Sequence, residues 1–218
     1  MTALERISTA SSRLKVFPLP SAVLFPHTAL PLHIFEPRYR ALIQDCLAGD
    51  HVMAIAQLEP GWEGNYYGRP PLDPVCCAGL LAWHEELPDG RYNILLQGMV
   101  RVRILGEEAG DTPYRVVHGQ VMSDHPYHGP EEELLRQALL ELSSRVPPGA
   151  ADALLQLAAK TSGGALADVV AGSIIEDAER RQELLREVDV CSRLRSVLGD
   201  VSELIGRLGA VRAQGPMN

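Results

Sequence analysis

Lysine is scarce in this chain, which has only Lys15 and Lys160 among 218 residues. A phosphate-binding loop needs glycines six and one residues before its lysine, and neither lysine has them. A serine–lysine hydrolytic pair needs a lysine held in a pocket, whereas Lys160 is expected near the exposed end of an alanine- and leucine-rich helix. The G-x-S-x-G motif of serine hydrolases is also missing. We therefore predict that the chain is not an enzyme.

Membrane, secretory and metal-binding signals are missing as well. No apolar run reaches membrane-spanning length, and no basic region followed by an apolar run opens the chain. We therefore expect a cytoplasmic protein without a membrane partner. The four cysteines form no CxxC pair, no HExxH motif is present, and His125 and His128 are interpreted as a solvated linker. We predict no metal and no cofactor, and interpret the cysteines as small buried hydrophobic residues.

Basic residues are fewer than acidic ones, so the net charge is −8, and neither half of the chain is basic. Binding to nucleic acid depends on a basic surface that neutralises phosphates, so this balance argues against a nucleic-acid partner. The hydrophobic content of 46% and the charged content of 22% are typical of a globular protein.

The distribution of residues along the chain predicts three regions. Residues 1–13 are small and polar and are expected to be flexible. Residues 14–123 contain about six short apolar runs of strand length and one early helix, a pattern that favours a small closed β-barrel. Gly98 interrupts the longest run and indicates a bulge or bend, and Pro88-Asp89-Gly90 indicates a hairpin turn. Residues 124–218 are predicted to form a helical domain, so the fold class is α+β.

The last predicted helix carries an apolar stripe at alternating spacings of four and three, formed by Leu194, Leu198, Val201, Ile205 and Leu208. Such a stripe packs on another helix. Burial within the chain's own bundle is the favoured interpretation, and a dimer contact is the alternative. We therefore expect a monomer or a weak homodimer.

A loop at residues 61–71 concentrates aromatic side chains in a chain that is only 5% aromatic. Trp62, Tyr66 and Tyr67 lie there among glycines and prolines. They are candidate binding residues, because aromatic side chains on a polar loop can stack on a ligand or anchor a peptide. In the alternative interpretation, Trp62 and Tyr66 fold back and cover an open end of their own barrel.

The most informative stretch is residues 30–40, which reads as a buried strand that leads into a helix. Pro37 suits a first helical turn, where its missing N–H costs nothing. Glu36 is expected to serve the helix N-terminus, and Arg38 is expected to form an ion pair with the barrel. A catalytic acid and a substrate clamp are the alternative roles for these two side chains.

Residues 16–19, 24–26, 30–40 and 88–98 together resemble the N-terminal, substrate-binding domains of Lon proteases. The resemblance implies a barrel related to the PUA fold, followed by a helical bundle. No ATPase or peptidase domain follows in these 218 residues, so we expect a stand-alone member without catalytic residues. The motif residues, whose role the resemblance implies to be mainly structural, are Phe35, Glu36, Pro37, Arg38, Tyr39, Asp89, Gly90 and Gly98.

The resemblance also implies a function in recognising unfolded or tagged protein. We predict a non-catalytic module that binds polypeptides or a protein partner and acts as an adaptor or a chaperone-like factor in protein quality control. An open strand edge or an apolar groove would be the physical route to such binding. The alternative from another functional class is an RNA-binding PUA-like module.

Overall fold

The structure is a computed structural model that describes residues 2–110 and 112–213. The strands are β1 (Leu14–Leu19), β2 (Ala29–Ile34), β3 (Val52–Gln57), β4 (Val75–Glu86), β5 (Tyr92–Glu107) and β6 (Arg115–Val121). The helices are α1 (Ala3–Ala10), α2 (Pro37–Ala48), α3 (Glu131–Ser143), α4 (Pro148–Lys160), α5 (Gly163–Ile174), α6 (Ala178–Arg186) and α7 (Val190–Ala213). A mixed sheet followed by helices confirms the predicted α+β class.

Five strands of the sheet form a closed ring in the order β5-β4-β3-β1-β6, because β6 pairs again with β5. The β1–β3 pairing is parallel and the other pairings are antiparallel. The strand β5 is 16 residues long. Its first half pairs with β2 and its second half with β6, so β2 extends the sheet outside the ring.

The two faces of the ring carry different side chains. Small and β-branched residues such as Val16, Ala54 and Ala78 form one apolar cluster, to which all five strands of the ring contribute. This cluster fills the inside, where a five-stranded ring has little room. Larger residues on the other face, such as Phe17 and Met53, pack with α2 and the helices that follow the barrel.

Buried cysteines lie on both faces of the ring. Cys76 and Cys77 are buried on opposite faces of β4, and Cys46 is buried on the inner side of α2. Burial raises the pKa of Cys46 and of Cys77 to about 12. These three thiols are therefore buried hydrophobic groups as predicted, whereas Cys191 is only partly buried.

The beginning of the chain differs from the expectation of a flexible segment over residues 1–13. Thr2 and Glu5 form a capping box at the start of α1, and Ile7 is fully buried in the cluster inside the barrel. The helix α1 therefore closes the ring at one end. Met1 lies outside the described residues.

The helical part packs against the barrel through a buried group of charges. Arg101 of β5 donates from Nη1 to Asp168 of α5 over 2.9 Å and from Nε to the carbonyl oxygen of Leu185 over 2.9 Å. The fully buried Arg193 of α7 donates from Nη1 to Asp124 over 3.1 Å, and its Nε lies 3.0 Å from Asp168. These contacts join β5 to both helices.

The apolar stripe of α7 is used within the chain. Leu194 and Val201 are fully buried, Ile205 is nearly so, and Leu198 and Leu208 pack at the edge of the same core. The side chain of Asp189 accepts a hydrogen bond from the backbone N–H of Ser192 over 2.8 Å at the start of this helix. The stripe therefore serves the internal bundle, in line with the favoured interpretation.

Candidate functional site

Two segments that lie far apart in the sequence meet at the start of α2. The backbone carbonyl of Glu36 accepts a hydrogen bond from the N–H of Arg40 over 2.9 Å, but the Glu36 side chain makes no capping hydrogen bond. The Glu36 carboxylate instead accepts from the Tyr66 hydroxyl over 2.8 Å and from Arg38 Nε over 3.0 Å. Glu36 is thus the N-cap residue of α2, as expected, although its side chain does not cap the helix, and Arg38 pairs with Glu36 rather than with the barrel.

Aromatic rings surround the guanidinium group of Arg38. Its central carbon lies 4.5 Å from the ring centroid of Tyr39, 4.9 Å from that of Tyr66 and 5.7 Å from that of Tyr67. The Nη2 atom is 3.0 Å from the Glu36 carboxylate, yet the angles do not allow a hydrogen bond, and this buried atom has no hydrogen-bond partner. Cation–π contacts and one ion pair thus hold the arginine in place.

The loop at residues 61–71 reaches α2 through a short 3-10 helix, Trp62–Asn65. After this turn Tyr66 folds back over Arg38 and is half-buried, whereas Tyr67 is 87% exposed. The two tyrosine rings contact each other edge to face, with centroids 5.2 Å apart. The loop therefore covers the start of α2 with one ring and presents the other to solvent.

A cavity of about 320 Å³ opens beside Arg38. Tyrosines, prolines and arginines form most of its wall. The wall consists of Pro18, Arg38, Tyr39, Leu58, Tyr66, Tyr67, Gly68, Arg69, Pro70, Thr112, Pro113, Tyr114 and Arg115. The charged side chains that the described residues contribute to the wall are all cationic, although the whole chain carries a net charge of −8.

The arginines of the wall are held by carboxylates that lie outside it. Glu107 accepts from Arg115 Nε over 2.9 Å and from Arg69 Nη1 over 3.0 Å. Arg115 also donates to the carbonyl oxygen of Pro70 over 2.6 Å, so its guanidinium is fixed against the loop. Arg69 is 48% exposed and is the most accessible of these cations.

Burial and neighbouring groups shift the pKa of four residues in the wall. Burial raises the pKa of Tyr39, and burial and the hydrogen bond to Glu36 raise the pKa of Tyr66. The pKa of Tyr114 is also raised, by burial and by its hydrogen bond to Asp45. Burial alone would lower the pKa of Arg38, but Tyr39 and Glu36 outweigh it and the net shift is upward. Tyr39, Tyr66 and Tyr114 are therefore neutral and Arg38 is a permanent cation.

The other predicted site residues lie elsewhere. Trp62 is half-buried and contacts Tyr66 at 5.7 Å, but it lines a separate groove of about 300 Å³ together with Ala178 and Arg186 of α6. Phe35 is an exposed side chain whose ring stacks on that of His33 at 6.3 Å. The structure thus brings Glu36, Arg38, Tyr39, Tyr66 and Tyr67 together and leaves Trp62 and Phe35 outside the cavity.

The remaining motif residues have structural positions. Pro37 is the first residue of α2. Asp89 and Gly90 form the β4–β5 turn, where Gly90 has a φ of 76° and the Asp89 carboxylate accepts from the backbone N–H of Arg91 over 3.1 Å. Gly98 lies in β5 against the backbone of Phe25.

Sequence reasoning missed Arg69, Arg115 and the segment around Pro113. Arg69 belongs to the aromatic loop, whose unusual composition was the available signal. Arg115 begins β6 and Pro113 precedes it, and only the closure of the ring brings them to the loop.

Residues 2–110 and 112–213 contain neither a metal-binding cluster nor a membrane-spanning helix. No group of three or more histidine, cysteine or acidic side chains in this part of the chain is arranged to hold a metal ion. Among the same residues, no helix combines the length and the apolar character that a bilayer crossing requires.

Comparison with known families gives a match over most of the chain. Residues 13–201 match the family described as the ATP-dependent protease La (LON) substrate-binding domain. Lon protease 2 of Herpetosiphon aurantiacus is 33% identical over 205 residues, which cover 88% of this chain and 24% of that protein. The Lon protease of Desulfosudis oleivorans is 26% identical over 188 residues, which cover 84% of this chain and 23% of that protein. The chain thus spans about a quarter of the length of these relatives.

Solved structures show the same fold. The N-terminal domain of a Lon protease from the Mycobacterium avium complex aligns with a TM-score of 0.69 and 17% identity, over 87% of this chain and 98% of that one. A Lon N-terminal domain protein from Xanthomonas campestris aligns with a TM-score of 0.61 and 25% identity, over 86% of this chain and 97% of that one.

Proposed function

Because the chain belongs to the family of ATP-dependent protease La (LON) substrate-binding domains, we propose that it binds polypeptide segments at the cavity beside Arg38 and catalyses no reaction itself. The main support for this proposal is the exposed ring of Tyr67 at the rim of a cavity of about 320 Å³. A cavity of this size suits one or two side chains of an extended segment.

The composition of the wall supports a polypeptide ligand. Tyrosine and arginine are the side chains that most often contribute large shares of binding energy at protein interfaces. Arg38 is already fixed between tyrosine rings, so little conformational entropy is lost when a ligand packs there. The site is therefore preorganised for contact rather than for bond cleavage.

The physiological role that we propose is that of an adaptor or a chaperone-like factor for unfolded or specific polypeptides, acting in the cytoplasm. A chaperone-like factor would suppress the aggregation of an unfolded protein without added nucleotide. An adaptor would bind the same protein without changing its aggregation.

Titration of a fluorescently labelled, reduced and alkylated polypeptide that cannot fold would test the proposal by anisotropy. We expect the wild-type chain to bind it, and Tyr67→Ala to weaken binding about tenfold, which corresponds to about 1.4 kcal/mol. Tyr67 is 87% exposed, so its removal should leave the fold intact. Trp83→Ala is the matched control, because Trp83 is a 52% exposed aromatic residue on β4 outside the cavity.

Two outcomes would contradict the proposal. A loss of binding in Trp83→Ala but not in Tyr67→Ala would move the site to the outer face of the β4–β5 hairpin. Binding of a labelled RNA oligonucleotide with a steep salt dependence, without any binding of the polypeptide, would favour the RNA-binding alternative.

A further inference from the structure

We propose that the cavity beside Arg38 accepts an acidic side chain of the bound polypeptide, next to an apolar side chain that packs on Tyr67. This inference rests on the proposed function and specifies the chemistry of the ligand. It follows from the guanidinium donors that face the cavity and from the position of their carboxylate partners.

The first step concerns the charge that a ligand meets. Among the described residues, the charged groups in the wall are Arg38, Arg69 and Arg115, and no described carboxylate belongs to it. Three described carboxylates contact wall residues from outside the cavity: Glu36 contacts Arg38, Glu107 contacts Arg69 and Arg115, and Asp45 contacts the hydroxyl of Tyr114. An anion that enters the cavity therefore approaches guanidinium groups before it approaches any of these three carboxylates.

The second step concerns hydrogen-bond donors that are available to a ligand. Arg69 uses only Nη1 in its bonds to Glu107 and to the carbonyl oxygen of Glu108 within the described part of the chain. Its Nε and Nη2 atoms thus stay available to a ligand, and the side chain is 48% exposed. Guanidinium groups bind carboxylates through two parallel N–H donors, so Arg69 is the principal donor that we assign.

The third step separates a side-chain carboxylate from a chain terminus. Terminal carboxylates are typically captured by clusters of backbone N–H groups. Pro18, Pro70 and Pro113 of the wall have no backbone N–H, and the N–H of Gly68 already donates to the carbonyl oxygen of Asn65 over 2.9 Å. Four wall residues thus offer no free backbone N–H, which favours an aspartate or glutamate within the polypeptide over a chain terminus.

The apolar neighbour follows from the rim. Tyr67 presents an exposed ring, and Tyr66 and Tyr67 contact each other edge to face. A side chain that packs on these rings excludes water from the adjacent ion pair and so strengthens it. The preferred segment is therefore an acidic residue beside an aromatic or aliphatic residue.

Two synthetic peptides would test this inference. Both are acetylated and amidated and contain an aromatic residue beside either glutamate or glutamine, so that the glutamate side chain is the only carboxylate. We expect the wild-type chain to bind the glutamate peptide about fivefold more tightly at low salt. This preference should shrink as ionic strength rises, because salt screens partly exposed charges.

Arg69→Gln should abolish the preference for the glutamate peptide over the glutamine peptide. Arg207→Gln is the matched control, because Arg207 is an exposed arginine of α7 outside this cavity, and it should keep the preference. Equal affinity of the wild-type chain for both peptides would overturn the carboxylate inference and leave polypeptide binding standing. A preference that persists in Arg69→Gln would overturn it as well. Binding of neither peptide would overturn both this inference and the proposed function.

Discussion

At the scale of single residues, the fold leaves no room for a side chain at Gly98. A Cβ atom at this position would lie 2.0 Å from the carbonyl oxygen of Phe25, which is backbone and cannot rotate away. The N–H of Gly98 donates to the carbonyl oxygen of Thr28 over 2.8 Å, and the carbonyl of Gly98 accepts from His27 over 3.0 Å. The segment before β2 is therefore hydrogen-bonded directly to β5.

Gly98→Ala should lower the free energy of unfolding by about 2 kcal/mol or more, because the added methyl group forces two backbone segments apart. Urea denaturation followed by circular dichroism would measure the change. Gly106→Ala is the control on the same strand, since nothing lies within 4 Å of a Cβ atom there. Equal stability of the two variants would show that the contact with Phe25 does not constrain β5.

The sequence predicted the bend at Gly98 but not its cause. A glycine within an apolar run indicates a bulge, and the β4–β5 register does shift, with Gly79 opposite Gly98 and Ala78 opposite Val100. Local spacing carries no information about Phe25, because that contact depends on the path of the chain before β2. The same limit applies to Glu36, whose carboxylate partner Tyr66 lies 30 residues away.

At the scale of elements, α1 is the part of the structure that the sequence did not predict. It has eight residues, and an isolated helix of that length is marginal in water. Its stability comes from tertiary packing of Ile7 inside the barrel, which no local pattern reveals. The helix α2 was recognisable, because Pro37 at its start and the apolar residues at helical spacing are local signals.

Ile7→Ala should lower the free energy of unfolding by about 2–5 kcal/mol, because it removes buried methyl groups and leaves a cavity at the closed end of the ring. Leu4→Ala is the matched control, since Leu4 lies on the same helix and is exposed. The measurement is urea denaturation of both variants. If Ile7→Ala were as stable as Leu4→Ala, α1 would not be part of the folded core.

At the scale of the whole molecule, the barrel and the helical part share one buried interface. Asp168 is 1% exposed and lies between Arg101 of the barrel and Arg193 of the helical part. Gln182 adds a hydrogen bond of 2.7 Å to the carbonyl oxygen of Val75, and Arg186 pairs with Asp73. The division into residues 14–123 and 124–218 remains a prediction, and these contacts lead us to expect that the two regions unfold together.

Two spectroscopic probes weight the regions differently, because both tryptophans, Trp62 and Trp83, precede residue 124, whereas most helical residues follow it. Tryptophan fluorescence and circular dichroism at 222 nm should therefore give coincident urea transitions in the wild-type chain.

Asp168→Asn should lower the free energy of unfolding by about 3–5 kcal/mol, because two arginines would be left in a buried interface without their shared carboxylate. Asp152→Asn on the exposed face of α4 is the matched control and should stay within about 0.5 kcal/mol of the wild type. Separate transitions in the wild-type chain would mean that the interface does not couple the two regions, and an Asp168→Asn variant as stable as its control would mean that the buried charges do not hold them together.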